Sequence, residues 1–145
     1  MRAYKFSLEK VLEWREDSER DTAKVFASIQ NELQYQQNGL NSLRLEDENI
    51  KKKILTLKNI NELKQQYLFK QSIEEKIERQ IKLIDETTKK LEKQRLELLE
   101  AQKNRKIMEK LKEKDYNIYK EELMNAEQKE LDEMAVLKYG KTGVM

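Results

Sequence analysis

Residues capable of chemistry are scarce in this chain, and the types that occur exclude the common catalytic sites. The 145 residues include no histidine and no cysteine. Zinc sites of the usual ligand type need these residues, as do Ser-His and Cys-His nucleophile pairs. Acidic pairs occur at Glu74-Glu75 and Glu121-Glu122, but neighbours on a helix diverge by about 100°, so we interpret both pairs as solvated surface. The sequence predicts a protein without enzymatic activity, bound metal or cofactor.

One short run near the C-terminus, Gly140-Lys141-Thr142, has the letters of a phosphate-binding loop. Such a loop needs a second glycine five positions before Gly140, where this chain has Ala135. It also needs a strand before it and a helix after it, and neither fits here. We therefore interpret the run as a coincidence.

The composition predicts long uninterrupted helices. The chain is 40% charged and 37% hydrophobic and contains no proline, whereas an average chain of this length would contain about 7 prolines. Lys, Glu, Leu and Gln are abundant in the sequence, and all four are good helix formers. Apolar residues recur every three or four positions, which separates this chain from a disordered polar one.

The charge balance and the hydropathy limit the classes of partner. The net charge is +2 from 30 basic and 28 acidic residues, and the one compact basic run, residues 51–53, follows the acidic run 46–48. Nucleic-acid binders usually carry a concentrated basic excess, so no nucleic-acid partner is predicted. The first residues lack the apolar core of a signal peptide, and no segment approaches the ~20 apolar residues of a membrane span. We expect a cytoplasmic protein.

Two heptad-like seams of apolar residues can be traced, and they are separated near residue 58. The first contains two consecutive steps of four, Val25 to Ile29 to Leu33, which is a stutter that relaxes a supercoil. Its positions are Leu8, Val11, Arg15, Ser18, Thr22, Val25, Ile29, Leu33, Gln36, Leu40, Leu43, Asp47, Ile50, Ile54 and Leu57. The second comprises Ile73, Ile77, Ile81 or Ile84, Thr88, Leu91, Leu98, Ala101, Met108 and Leu111, and a further stripe follows at Tyr116, Tyr119, Leu123, Ala126, Met134 and Leu137.

A turn between two helices explains the interruption. Asn59 and Glu62 have the spacing of a capping box, which marks the start of a new helix. One rod of about 130 residues would span roughly 195 Å and would need a partner chain to bury its seam, whereas an antiparallel hairpin buries the seam within one chain. We predict an all-α fold, a long antiparallel two-helix coiled-coil hairpin with helix 2 longer than helix 1. It forms a single domain over residues 1–145, with helix 1 at about 7–57, a turn at about 58–61, helix 2 at about 60–138 and a frayed tail at 139–145 after a C-cap at Gly140.

Two regions of this hairpin are candidate interaction surfaces. Tyr67, Leu68 and Phe69 are consecutive near the turn and cannot all face one seam, so they either close the hairpin end or bind a partner. Folding at residue 58 also leaves about 25 residues of helix 2 beyond the start of helix 1. Those residues keep an apolar stripe, and an exposed stripe usually marks an interaction surface.

Three segments, "YKFSLEKVLEWREDSERD", "FKQSIEEKIERQ" and "EQKELDEMAVLKYG", together resemble the flagellar export protein FliJ family. "YKFSLEKVLEWREDSERD" is similar to the family's opening, an aromatic-Ser/Asn-Leu-x-x-Leu-Leu segment that leads into Arg-rich heptads. "FKQSIEEKIERQ" matches its Phe-x3-Leu-x3-Ile pattern through Phe69, Ile73, Ile77 and Gln80, and "EQKELDEMAVLKYG" is similar to its closing segment. Tyr67-Leu68 departs from the Gln-Gln that many relatives carry.

The resemblance implies a component of the bacterial flagellar type III export apparatus, similar to the stalk of rotary ATPases. It implies a hexameric FliI-like export ATPase, an FlhA-like export gate and substrate-specific export chaperones as partners, with the protein peripheral to the inner membrane at the flagellar base. The gate would contact the hairpin tip at Leu40, Leu43, Tyr67, Phe69, Ile73 and Ile77. The ATPase ring would contact the C-terminal overhang at Tyr119, Leu123, Gln128, Leu131, Asp132 and Met134.

Two other functions stay open at this point. A generic scaffold coiled coil that homodimerises would hide both candidate surfaces in self-association. A helical arm that grips RNA is disfavoured by the balanced charge.

Overall fold

The structure, a computed structural model, describes residues 3–142 and the side chains of residues 3–140. It consists of two helices, α1 (Glu9–Thr56, 48 residues) and α2 (Ile60–Thr142, 83 residues), joined by residues 57–59. The two helices pack against each other in antiparallel directions, and no strand occurs among the described residues. This confirms the predicted fold class, including the greater length of the second helix.

Asn59 ends the turn and begins α2. Its side-chain oxygen accepts a hydrogen bond from the N–H of Asn61 at 2.9 Å, and its carbonyl accepts one from the N–H of Leu63 at 3.0 Å. Asn59 is therefore the N-cap, because its side chain satisfies one of the four free N–H groups at the start of a helix. Glu62 lies exposed in the first turn, where a carboxylate complements the positive end of the helix dipole.

The outer ends of the helices differ from the predicted bounds. α1 begins at Glu9 rather than at about residue 7. α2 continues through Gly140 to Thr142, four residues past the predicted end, and no described glycine has a positive φ. The predicted C-cap at Gly140 is wrong, because the cap requires a left-handed conformation at that residue. The rest of the predicted tail, residues 143–145, lies outside the described residues.

The seam of α1 alternates steps of three and four without a stutter. The predicted positions Leu8, Val11 and Val25 are exposed, and Leu12 and Phe26 take the inner positions instead. The sequence offers adjacent apolar pairs at both places, and in each pair the larger side chain turns inward. The observed seam comprises Leu12, Arg15, Glu19, Thr22, Phe26, Ile29, Leu33, Gln36, Leu40, Leu43, Asp47, Ile50 and Ile54.

The seam of α2 is as regular and more polar. Ile84 faces inward and Ile81 does not, while Thr87 and Lys112 replace the predicted Thr88 and Leu111. The regular alternation of three and four is typical of coiled coils. The observed seam comprises Gln66, Lys70, Ile73, Ile77, Gln80, Ile84, Thr87, Leu91, Gln94, Leu98, Ala101, Arg105, Met108, Lys112, Asp115 and Tyr119.

The chain divides into two compact units, and we call residues 20–100 the hairpin unit. Polar side chains cross its seam. Gln80 Nε2 donates to the carbonyl oxygen of Gln36 at 2.7 Å, and Gln94 Nε2 donates to that of Thr22 at 3.3 Å. A Cβ on Gly39 would lie 3.2 Å from Gln80 Nε2, so glycine leaves the space that this amide occupies. Long polar residues therefore fix the register of the two helices.

We call residues 3–19 with residues 101–142 the terminal unit. Ion pairs join its two helical segments at the seam. Arg105 pairs with Glu19, and Lys112 Nζ lies 2.8 Å from a carboxylate oxygen of Glu9. The bond to Glu19 is the main reason that the pKa of Arg105 is raised. These partly exposed pairs are screened by solvent, so they set pairing geometry more than stability.

Candidate partner-binding surfaces

The tip of the hairpin unit presents three consecutive large apolar side chains. Tyr67, Leu68 and Phe69 are 56%, 65% and 51% exposed. Successive residues on a helix diverge by about 100°, so these three cover more than half of the circumference of α2. About half or more of each side chain is open to solvent, which leaves it available for contact with another molecule.

The other four predicted tip residues lie between the helices. Ile73 is 1% exposed and is the most fully buried large side chain described, and Leu40 is also buried. Leu43 and Ile77 are half-buried at neighbouring seam positions. Among the six residues predicted to contact a partner at the tip, only Tyr67 and Phe69 are open to one in this conformation.

An extended N-terminal segment packs on α2 in the terminal unit. The Tyr4 ring lies 5.1 Å from that of Tyr116 in an edge-on arrangement and 5.3 Å from that of Tyr119. Its hydroxyl donates to the carboxylate of Asp115 at 3.0 Å and lies 3.3 Å from the carbonyl oxygen of Lys112. We call Tyr4, Tyr116 and Tyr119 the tyrosine cluster. It covers a stretch of α2 that the sequence analysis assigned to the overhang.

The environment of the cluster shifts the acidity of one phenol. Loss of solvent raises the pKa of Tyr4, and the hydrogen bond to the Asp115 carboxylate raises it further, because ionisation would place two negative charges together. A cleft of about 730 Å³ opens beside the cluster, lined by Tyr4, Asp115, Ile118 and Glu122 among others. We assign the cluster a structural role, because it anchors the segment before α1.

The free end of α2 begins after Leu123. Every residue from Met124 to Gly140 is exposed, so the overhang is 17 residues long among those with described side chains. Residues 120–140 carry six carboxylates and three lysines. Four of the exposed apolar side chains lie within roughly 140° of the helix circumference. We call them the C-terminal stripe: Met124, Leu131, Met134 and Leu137.

The residues predicted to contact an ATPase ring divide into three groups. Leu131 and Met134 are exposed on the C-terminal stripe. Gln128 and Asp132 are joined by a 3.1 Å hydrogen bond and lie about 120–160° away from Met134 around the helix. Tyr119 is half-buried in the tyrosine cluster, and Leu123 is half-buried at the base of the overhang.

Within residues 3–142, no cluster of three or more acidic side chains is placed to hold a metal ion. None of the described helical segments contains a stretch long and apolar enough to cross a membrane.

The chain matches a known protein family over most of its length. The family model described as "Flagellar FliJ protein" matches residues 4–143, which is nearly the whole chain. The chain belongs to the flagellar FliJ protein family. Membership makes this FliJ-family chain a flagellar export component. No curated protein and no solved structure matches it.

The sequence analysis of this FliJ-family chain missed the tyrosine cluster. It placed Tyr116 and Tyr119 on an unpartnered stripe and assigned no contact to Tyr4. The available signal was aromatic: Tyr4 and Phe6 precede the helix, and each has a ring that water solvates poorly. Phe6 is indeed buried.

Proposed function

We propose that this chain is a non-catalytic coiled coil that promotes assembly of the hexameric export ATPase ring, contacts the export gate and helps to cycle export chaperones. It would act in the cytoplasm, held near the inner membrane at the flagellar base through these partners. The overhang would engage a FliI-like hexamer, and the hairpin tip would engage an FlhA-like gate. Membership of the FliJ family and the two exposed apolar surfaces support this assignment.

The C-terminal stripe is the observation that carries the proposal. A single helix gains little stability from its own backbone in water, so apolar side chains along a lone helix normally face a partner. The overhang is one helix, about 10–12 Å across with its side chains, and can enter a narrow opening that a paired coil cannot. Its carboxylates would suit a basic lining around such an opening.

A matched pair of variants tests the overhang. Met134 and Val136 are 68% and 70% exposed, but they lie about 200° apart around the helix, so only Met134 belongs to the stripe. We expect Met134→Ser combined with Leu131→Ser to raise the concentration needed to stimulate the ATPase about tenfold or more. Val136→Ser should leave stimulation unchanged. Equal effects of the two changes, or none, would contradict a role for the stripe.

A truncation after Leu123 provides the second test. It removes the overhang but keeps Tyr116, Tyr119 and Asp115, so the anchor of Tyr4 stays intact. We expect normal helicity for the remaining chain and loss of ATPase stimulation. Full stimulation by the truncated chain would place the ATPase contact along the paired helices instead.

The hairpin tip is tested with exposed aromatic residues. Tyr67→Ala with Phe69→Ala should weaken gate binding while the thermal midpoint stays nearly unchanged, because both rings already face solvent. Tyr35 is 80% exposed elsewhere on the hairpin unit, and Tyr35→Ala is the matched control. A large loss of stability with intact gate binding would assign Tyr67 and Phe69 to the hairpin core.

A homodimeric scaffold is the competing function, since self-association would also cover the C-terminal stripe. Sedimentation of the purified chain separates the two. A tight dimer that Met134→Ser dissociates would favour the scaffold over the export stalk.

A further inference from the structure

The closed end of the hairpin unit has a charge unlike that of the whole chain. Residues 51–70 contain six lysines and one carboxylate, Glu62. Lys51 pairs with Asp47 at 2.9 Å and Lys70 lies 3.5 Å from Glu74. Lys52, Lys53, Lys58 and Lys64 are exposed and concentrate their positive charge around the turn.

Acidic residues farther along α1 do not cancel this charge. Glu46 and Glu48 are exposed, but they lie about 12 Å or more from Thr56 along the helix axis. The Debye length at physiological ionic strength is roughly 8–10 Å, so their field is largely screened at Lys58 in the turn, but not at Lys52 and Lys53, which lie about one helical turn from Glu48. A body that approaches the turn end-on meets the lysines first.

Two aliphatic side chains project at the same end. Leu55, in the last turn of α1, is 85% exposed, and Ile60, the first residue of α2, is 69% exposed. They flank the turn on the two helices. Exposing these two side chains to water is unfavourable, and no described element covers them.

The arrangement of the lysines indicates the kind of surface that would cover this end. Lys52 and Lys53 diverge by about 100° around α1, and Lys58 and Lys64 lie in the turn and on α2, so these lysines surround the end of the hairpin instead of forming one face. A protein partner contacts lysines at fixed positions on one face of a helix. A fluid anionic surface can rearrange around lysines that point in several directions. A convex end with a ring of cations and protruding aliphatic groups suits a lipid interface.

We propose that the hairpin tip binds directly to anionic phospholipid bilayers, with the lysines at the headgroups and Leu55 and Ile60 in the interface. A cleft of about 440 Å³ beside the turn could receive a headgroup phosphate, because Lys53, Asn49 and Gln66 line it. This contact goes beyond the proposed export function, which reaches the membrane only through partner proteins. Its lysines, Leu55 and Ile60 are separate from Tyr67 and Phe69 of the gate contact, although the Phe69 ring also lines this cleft.

Vesicle flotation of the full chain at physiological ionic strength tests the proposal. We expect binding to vesicles with about one-third phosphatidylglycerol in phosphatidylcholine, and none to phosphatidylcholine alone. Replacing Lys52, Lys53 and Lys58 together by Gln should lower the partition coefficient roughly 100-fold, since each lysine near an anionic surface contributes about fivefold. Leu55→Ser with Ile60→Ser should lower it about tenfold or more.

Matched controls separate the tip from charge in general. Lys82, Lys90 and Lys93 are also exposed in the hairpin unit, and replacing these three by Gln should leave binding unchanged. Equal losses from both triple variants would overturn the proposal, as would full binding by the Leu55 and Ile60 variant. If the wild-type chain does not float with the anionic vesicles, the proposal is also overturned. An acidic protein is then the expected partner of the lysines. The variant with Tyr67→Ala and Phe69→Ala should still float with the vesicles. Loss of lipid binding can therefore be distinguished from loss of gate binding.

Discussion

Gln36 occupies a seam position where an apolar residue would pack better. Its side chain is 4% exposed, and its Oε1 atom has no hydrogen-bond partner among the described residues. Its Nε2 atom lies 3.5 Å from a carboxylate oxygen of Glu32, at the limit of a hydrogen bond. Replacement by methionine, which has a similar length and no rotamer restriction from branching, removes the buried amide and keeps the volume.

The expected gain follows from these contacts. A buried acceptor without a hydrogen-bond partner destabilises the folded chain by about 1–3 kcal/mol. The long contact between Gln36 Nε2 and Glu32 offsets little of this cost. The bond from Gln80 goes to the backbone carbonyl of residue 36, so it survives the substitution. We expect Gln36→Met to increase the free energy of unfolding by about 1–2 kcal/mol. For a chain of this size that corresponds to a rise in Tm of roughly 2–8 °C.

Urea and thermal unfolding followed by circular dichroism at the helical band measure this gain. Gln37→Met is the matched control, because Gln37 is the exposed neighbour and its substitution should change stability by less than about 0.5 kcal/mol. A polar seam residue also restricts register and oligomeric state. Gln36→Met should therefore self-associate more strongly in sedimentation experiments than the control does.

A lower or unchanged midpoint for Gln36→Met would refute this reasoning. It would mean that the amide is solvated within the seam and that its desolvation cost is small. A gain of equal size from Gln37→Met would also refute it, since helix propensity rather than burial would then explain both.

Three further predictions concern the core, the turn and the N-terminal anchor. Ile73→Ala should lower the free energy of unfolding by about 2–4 kcal/mol, and Ile81→Ala by less than about 1 kcal/mol; urea titrations that rank them equally would contradict the burial of Ile73. Asn59→Ala should cost about 1 kcal/mol through loss of the N-cap, measured by thermal unfolding against Asn59→Gly, which should cost only a few tenths. The pKa of Tyr4 is raised, so its contribution to stability is complete below the ordinary tyrosine pKa of about 10 and is lost as pH rises through the folded value. Absorbance titration near 295 nm should show one late-titrating tyrosine, which Asp115→Asn moves back toward the ordinary range; no change would contradict the hydrogen bond.

Periodicity was sufficient to predict the two helices and their antiparallel pairing. A spacing of three and four residues can be satisfied only by burying a helical stripe, and the Asn59 cap marks where the second helix begins. Periodicity could not choose between adjacent apolar residues, so the predicted seam of α1 used Val11 and Val25 where Leu12 and Phe26 are inside. Which residue of each pair is buried depends on the space between the two packed helices. The pattern along one helix does not contain this information.

The candidate surfaces were harder to predict because exposure depends on what the partner helix covers. Ile73 and Phe69 belong to the same apolar run, yet the first is buried and the second is exposed. Tyr119 was assigned to a free stripe because nothing in its neighbourhood of the sequence indicates that Tyr4 would cover it. That contact depends on the tertiary pairing of the two chain segments.

The tyrosine cluster also has a consequence for synthesis on the ribosome. Tyr4 and Asp115 are 111 residues apart, and translation adds about 5–20 residues per second. The N-terminal segment therefore leaves the ribosome roughly 6–20 s before the residues of α2 that cover it. A helix forms in a much shorter time than this. Throughout that interval Phe6 and Leu12 have no partner from their own chain. A nascent-chain holding factor would find its target at the beginning of this protein, and release of that target would coincide with completion of the second helix.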